Sequence, residues 1–159
     1  MTNPTTITAE PGLPFVDTVR EFDATPMQLF TASTDPHLIE QWLGPRDLKT
    51  RVDKYDLRVG GEYRFVNIDE QGNEYSFRGV FHTVTPGVLT IQTWEFDGFP
   101  GQVTLETARY EDLGGRTRLV QRSVFPSVEA RDGAFDHGMA RGIADSMDRL
   151  DELLKSLAR

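Results

Sequence analysis

Cysteine is absent from the 159 residues. Disulfides, thiol nucleophiles, iron–sulfur clusters and thiolate zinc sites are thereby excluded. Long apolar runs are missing as well: no stretch approaches the roughly 20 apolar residues a membrane helix needs. Positive charge is scarce. Seventeen Lys and Arg stand against 25 Asp and Glu, a net charge of −8. No nucleic-acid partner is expected, because displacing phosphate counterions takes a basic surface. Docking on anionic lipid is disfavoured for the same reason. No HExxH, GxSxG, GxGxxG or P-loop pattern occurs, so no motif supports nucleophilic, metal or phosphate chemistry. The histidines, His37, His82 and His137, are scattered. His37 and Glu40 are isolated, and Asp132, Asp136 and His137 read as a solvated helix face. No metal and no cofactor is expected.

What is present is an ordinary globular balance, 38% hydrophobic and 26% charged, at a length that suits one domain. Residues 1–12 are rich in Thr, Pro and Asn, without the basic start and apolar core of a signal peptide. They read as a mobile arm, with too little apolar surface to offset ordering. Residues 13–159 form the domain, and the default location is the cytoplasm.

Phe15, Val16, Val19 and Phe22 mark a first strand. Thr25-Pro26 with Gln28, and then Asp35-Pro36, are two cap-plus-proline signals, which predict short helices over Pro26–Ser33 and Pro36–Gln41. Six strand-like runs follow, separated by turns such as Gly60-Gly61, Pro86-Gly87 and Gly114-Gly115, the pattern of an antiparallel meander. After Pro126 the apolar period lengthens. Phe135, Met139, Ile143, Met147, Leu150, Leu154 and Leu157 lie on one helical stripe. A single long helix over Val128–Leu157, capped by Ser127, is expected. The fold class is α+β: about six to seven antiparallel strands curled on a long C-terminal helix, with two short helices after the first strand.

Several local motifs carry a resemblance. They include Trp42-Leu43-Gly44-Pro45, Asp56-Leu57-Arg58-Val59-Gly60-Gly61, Phe77-Arg78-Gly79-Val80, Thr93-Trp94-Glu95-Phe96 and Gly114-Gly115-Arg116-Thr117-Arg118-Leu119. With the element order, they resemble the Hsp90-ATPase-activator-homologue (AHSA1-like) branch of the SRPBCC, or START-like, superfamily. The resemblance runs from about Phe15 to the C-terminus. It implies the helix-grip fold of START and Bet v 1 proteins. It also implies three functions: binding a small apolar ligand inside, a polyketide-cyclase or hydrolase-like tailoring activity, or interaction with an Hsp90-type chaperone.

Strand alternation selects inward residues. Tyr63, Phe65, Phe77, Phe81, Leu105 and Leu119 form an apolar wall. Asn67, Thr107, Gln121 and Ser123 interrupt it. Unpartnered, each buried polar group costs roughly 1–3 kcal/mol, so water or a ligand is expected beside them. Phe135, Met139 and Ile143 face the wall from the helix, and Trp42 closes the mouth or packs in the core. Gly138 and Gly142, read as helix interior, either permit close packing on the sheet or leave ligand space. The expected ligand-binding set is therefore Trp42, Tyr63, Phe65, Asn67, Phe77, Phe81, Leu105, Leu119, Gln121, Ser123, Phe135, Met139, Gly142 and Ile143. For a tailoring enzyme the candidate acid–base groups are Tyr63, Tyr75 and Glu95, of which Glu95 counts only if its strand face points inward. No catalytic residue is assigned. The expected partner is a small apolar molecule, and a homodimer through a free sheet edge or the arm is possible.

Overall fold

The computed structural model describes residues 3–158. Strands β1 (Thr6–Thr8) and β2 (Phe15–Phe22) come first, then helices α1 (Pro26–Thr34) and α2 (Pro36–Trp42). Six strands follow: β3 (Lys49–Tyr55), β4 (Glu62–Ile68), β5 (Glu74–Thr85), β6 (Leu89–Phe96), β7 (Thr104–Asp112) and β8 (Thr117–Val124). The chain ends in α3 (Val128–Asp136) and α4 (Met139–Leu157). All eight strands make one antiparallel sheet in the order β1-β2-β8-β7-β6-β5-β4-β3. The expected α+β helix-grip architecture is present.

Local chemistry sets the helix starts. The Thr25 hydroxyl accepts from the Gln28 amide at 3.2 Å, and the Gln28 side chain accepts from the Thr25 amide at 2.8 Å. This reciprocal cap satisfies two otherwise orphaned donors. Asp35 caps α2 through the His37 amide at 2.9 Å, and Ser127 caps α3 through the Ala130 amide at 3.0 Å.

One face of the sheet packs on the helices. Phe22, Leu29 and Leu150 are fully buried where β2, α1 and the second half of α4 meet. Arg20 on β2 is only 2% exposed. Its Nη1 reaches Asp148 Oδ1 at 2.6 Å, and its Nη2 lies 3.5 Å from Asp151 Oδ2. This pairing is what makes a buried guanidinium tolerable, and it ties α4 to the sheet.

Three expectations are corrected. Within the segment read as an arm, Thr6–Thr8 pair with Asp17–Val19 as an edge strand. Backbone hydrogen bonds along β2 supply the ordering that its side chains lack. The single long helix is two. His137 ends α3, and Gly138 at φ +95° caps the start of α4, a left-handed conformation suited to glycine. Gly138 is thus a junction residue, not helix interior. The third correction is the register of β7. Thr104, Glu106, Ala108 and Tyr110 face inward. Leu105 faces out and is 44% exposed, with Val103 and Thr107 on the same outer side. Tyr110 anchors this register by packing edge-on against Phe30 of α1 at 5.7 Å.

Candidate functional site

The two ends of the sheet–helix interface differ. Toward β2 and the C-terminal half of α4 the inner face is sealed. Toward α3 and the first turns of α4, inner-face residues keep exposed surface: Phe77, Gln92, Trp94, Phe96, Glu106, Gln121 and Ser123 on the sheet, and Phe135, Met139 and Ile143 on the helices, are all half-buried. An open cleft of about 470 Å³ lies at this end, lined by Pro45, Asp47, Leu48, Asn67, Asp69, Tyr75, Phe77 and Phe96.

The loop after α2 forms one lip of the cleft. Gly44 has φ +93°, and a Cβ there would sit 3.3 Å from Asn67 Oδ1, so glycine permits both the turn and the approach. The Gly44 amide donates to Ser146 Oγ at 2.8 Å. Arg149 of α4 donates to the carbonyls of Gln41 at 2.9 Å and Gly44 at 3.1 Å. Arg141 reaches Asp47 at 3.1 Å. The lip is therefore pinned to α4. The floor is aromatic. Phe77 stacks on Trp94 at 4.9 Å and on Phe96 at 5.0 Å, and Trp94 continues to Phe65 at 5.8 Å.

Glu106 is the chemically distinctive group. It sits opposite Gln92 and Ser123. Its Oε1 accepts from Ser123 Oγ at 2.7 Å, and its Oε2 lies 2.7 Å from Thr104 Oγ1. Enclosure by the surrounding chain pushes its carboxyl pKa up, and the two hydroxyls only partly oppose this. Thr104 Oγ1 is also 3.3 Å from the Trp94 carbonyl. One hydroxyl proton cannot serve both acceptors well. When Glu106 is ionised, Thr104 donates to it; when Glu106 is protonated, it donates to Thr104, which turns to Trp94. Both protonation states are thus hydrogen-bonded. Tyr63 is the titratable group that responds electrostatically to Glu106, and burial raises the pKa of its phenol.

The expected residues separate into groups. Asn67 and Phe77 line the cleft. Gln121, Ser123, Phe135, Met139 and Ile143 are half-buried on the inner face of the sheet and on α3–α4, but they are not among the residues that line it. Gly142 faces the lip, where a Cβ would meet only Pro45 Cγ at 3.9 Å. It therefore neither permits close helix–sheet contact nor faces the sheet. Tyr63, Phe65, Phe81 and Leu119 are buried wall. Leu105 is on the opposite face of the sheet. Trp42 is 8% exposed, and its indole donates to the Ala32 carbonyl at 2.9 Å. It clamps α2 on α1 and does not close a mouth.

The three acid–base candidates are otherwise engaged. The Tyr63 hydroxyl donates to the Thr93 carbonyl across Gly79, where a side chain would collide with it. Tyr75 donates to Asp69 Oδ2 at 3.1 Å. Glu95 faces out, accepting from Arg78 at 3.1 Å and the Gly101 amide at 2.7 Å, and these partners hold its pKa down. The interior carboxyl is Glu106, which sequence reasoning missed. Its signal was the run Thr104-Glu106-Ala108-Tyr110, which alternates as regularly as Val103-Leu105-Thr107.

The fold defines a helix-grip protein with an open cleft at one end. A family profile described as Activator of Hsp90 ATPase homolog 1-like protein matches residues 23–155, and the chain belongs to that family. Among curated proteins no relative matches. A crystal structure of a Rhodobacter sphaeroides protein is similar at 27% identity and TM-score 0.86, over 97% of this chain and 99% of that one. A solution structure of an Arthrobacter aurescens protein has TM-score 0.88 at 23% identity, over 95% of this chain and 91% of that one. The AHSA1 protein from Silicibacter pomeroyi has TM-score 0.73 at 24% identity, over 91% and 99%. The last two likenesses bear on the fold. No helix among the described residues is long and apolar enough to cross a membrane.

Proposed function

We propose that this protein binds a small, mostly apolar molecule in the cleft between the inner face of the sheet and α3–α4. One observation carries the reading: at this end an aromatic floor and Glu106 face inward, and these residues keep exposed surface although the carboxyl itself is enclosed. Apolar walls with a few convergent polar groups are what small-molecule sites share. Ser123, Gln121 and Glu106 would orient the ligand, while Phe77, Phe96, Met139 and Ile143 would supply apolar contact. Titrating a panel of hydrophobic metabolites while following tryptophan emission tests this. Of the two tryptophans, Trp94 stacks on Phe77 of the cleft floor while Trp42 is bonded to Ala32, so a saturable change should vanish in Trp94→Phe. Flat titrations across the panel contradict the reading.

The raised carboxyl of Glu106 favours a second reading, a tailoring enzyme with Glu106 as its general acid or base. Incubating the same panel and looking for altered masses decides it; compounds that bind and come back unchanged remove catalysis. The chaperone-module reading rests on the family name, and a pull-down with an Hsp90-type chaperone decides it.

A further inference from the structure

We infer that the ligand of the cleft is a cationic amine on an apolar skeleton, with its ammonium group drawn to Glu106. This rests on the ligand-binding reading and adds the chemical class.

The first ground is the company Glu106 keeps. Its carboxyl touches the hydroxyls of Ser123 and Thr104, and no Arg, Lys or His among the described residues pairs with it. Enclosed carboxylates are ordinarily matched by a cation. Here Glu106 and its cross-strand neighbours Gln92 and Ser123 keep exposed surface on the inner face, farther in than the cleft floor of Phe77 and Phe96. The α4 guanidiniums on this side are committed to the lip: Arg141 to Asp47, and Arg149 to the carbonyls of Gln41 and Gly44. The two hydroxyls keep the carboxyl hydrogen-bonded in either protonation state, so it can ionise beside an arriving ammonium without rearranging the wall.

The second ground is the path to Glu106. Phe96, Phe77 and Trp94 form a continuous stacked series from the mouth inward, and aromatic faces attract cations electrostatically. Asp47 and Asp69 stand at the mouth, and the net charge of −8 raises the local concentration of cations over anions. Asp47 is already matched by Arg141, so a carboxylate ligand meets repulsion chiefly at Asp69, at the aromatic faces and at Glu106. The third ground is length. Glu106 pairs with Gln92, four residues before Phe96 on the same strand face. At about 3.3 Å per residue the mouth lies roughly 13 Å from Glu106, which leaves room for an apolar skeleton behind the ammonium.

Calorimetry with phenylbutylamine, phenylbutanol and phenylbutyrate on the full chain tests the inference, because the three probes share one skeleton and differ in the head group. The amine should bind tightest and the carboxylate weakest. Glu106→Gln keeps the shape and the hydroxyl contacts. It should weaken the amine roughly ten- to hundredfold, the worth of a charge-assisted hydrogen bond, and leave the alcohol within about twofold. A thermal melt of Glu106→Gln verifies the fold, and Glu106→Asp should restore part of the amine affinity. Binding of the alcohol as tightly as the amine, or an unchanged amine affinity in Glu106→Gln, overturns the inference and leaves the ligand-binding reading in place. Silence of all three probes together with the whole metabolite panel overturns both.

Discussion

The two ends of this grip use the same sheet and the same C-terminal helices but differ in how they are finished. At the closed end Phe22, Leu29 and Leu150 leave no surface exposed, and even the charged Arg20 is buried against Asp148 and Asp151. At the open end Trp94, Phe96, Phe135, Met139 and Ile143 remain half-exposed, and among the described residues the partners of the Glu106 carboxyl are hydroxyls. A charge with its counterion in place serves the fold. A charge without one is a stability cost that a ligand can relieve. The break at Gly138 separates these regimes in the helical layer, since α3 and the first turn of α4 need not follow the line of the packed second half.

The largest expected effect contrasts the ends directly. Leu150→Ala should cost about 3–5 kcal/mol, as a fully buried leucine leaves a cavity. Ile143→Ala, already half-exposed, should cost about 1 kcal/mol. Denaturant melts of both variants measure the difference, and equal costs would erase the distinction. Next is Gly138→Ala. Forcing a Cβ into φ +95° should cost about 1–2 kcal/mol in the same melts, although no atom blocks the added methyl.

Glu106→Gln should give a smaller, pH-dependent gain. The folded pKa of Glu106 is raised above its unfolded value. Its contribution to stability is therefore full below the unfolded value and is lost as pH rises through the folded one. The inner-face groups on its own strand and from β4 that also titrate, Tyr110 and Tyr63, are pushed up by burial, Tyr110 to about 12, and stay neutral in this window. β6 and β8 present Gln92, Gln121 and Ser123, which do not titrate. The variant should melt higher than the parent near about pH 7, with the gain gone near about pH 4. The smallest effect is at Gly142. Gly142→Ala meets only Pro45 at 3.9 Å, so helix propensity should raise stability by less than about 1 kcal/mol.

Sequence legibility followed the range of the interactions. The caps at Thr25, Asp35 and Ser127 are set within three residues of chain, and each was readable. So was the meander, whose turns are local. The register of β7 was not, because two alternating sets compete there and a contact with Phe30 far away in sequence decides between them. That same ambiguity hid Glu106 and offered Leu105 in its place. The helix break escaped because the apolar stripe continues across Gly138, while a left-handed φ leaves no trace in hydrophobic spacing. β1 was overlooked because Thr6–Thr8 owes its order to the backbone of β2 rather than to apolar side chains.

Each end carries one tryptophan and one methionine as reporters: Trp42 and Met147 in the closed core, Trp94 and Met139 at the open cleft. An NMR titration with phenylbutylamine, observing the two indole N–H groups and the two methyl groups, tests most directly that the open end is the binding site. The account requires saturable shifts of Trp94 and Met139, with Trp42 and Met147 unmoved, and the same shifts reached only at roughly ten- to hundredfold higher amine concentration in Glu106→Gln. Shifts confined to Trp42 and Met147, or no shift at any of the four for any compound of the panel, would contradict it.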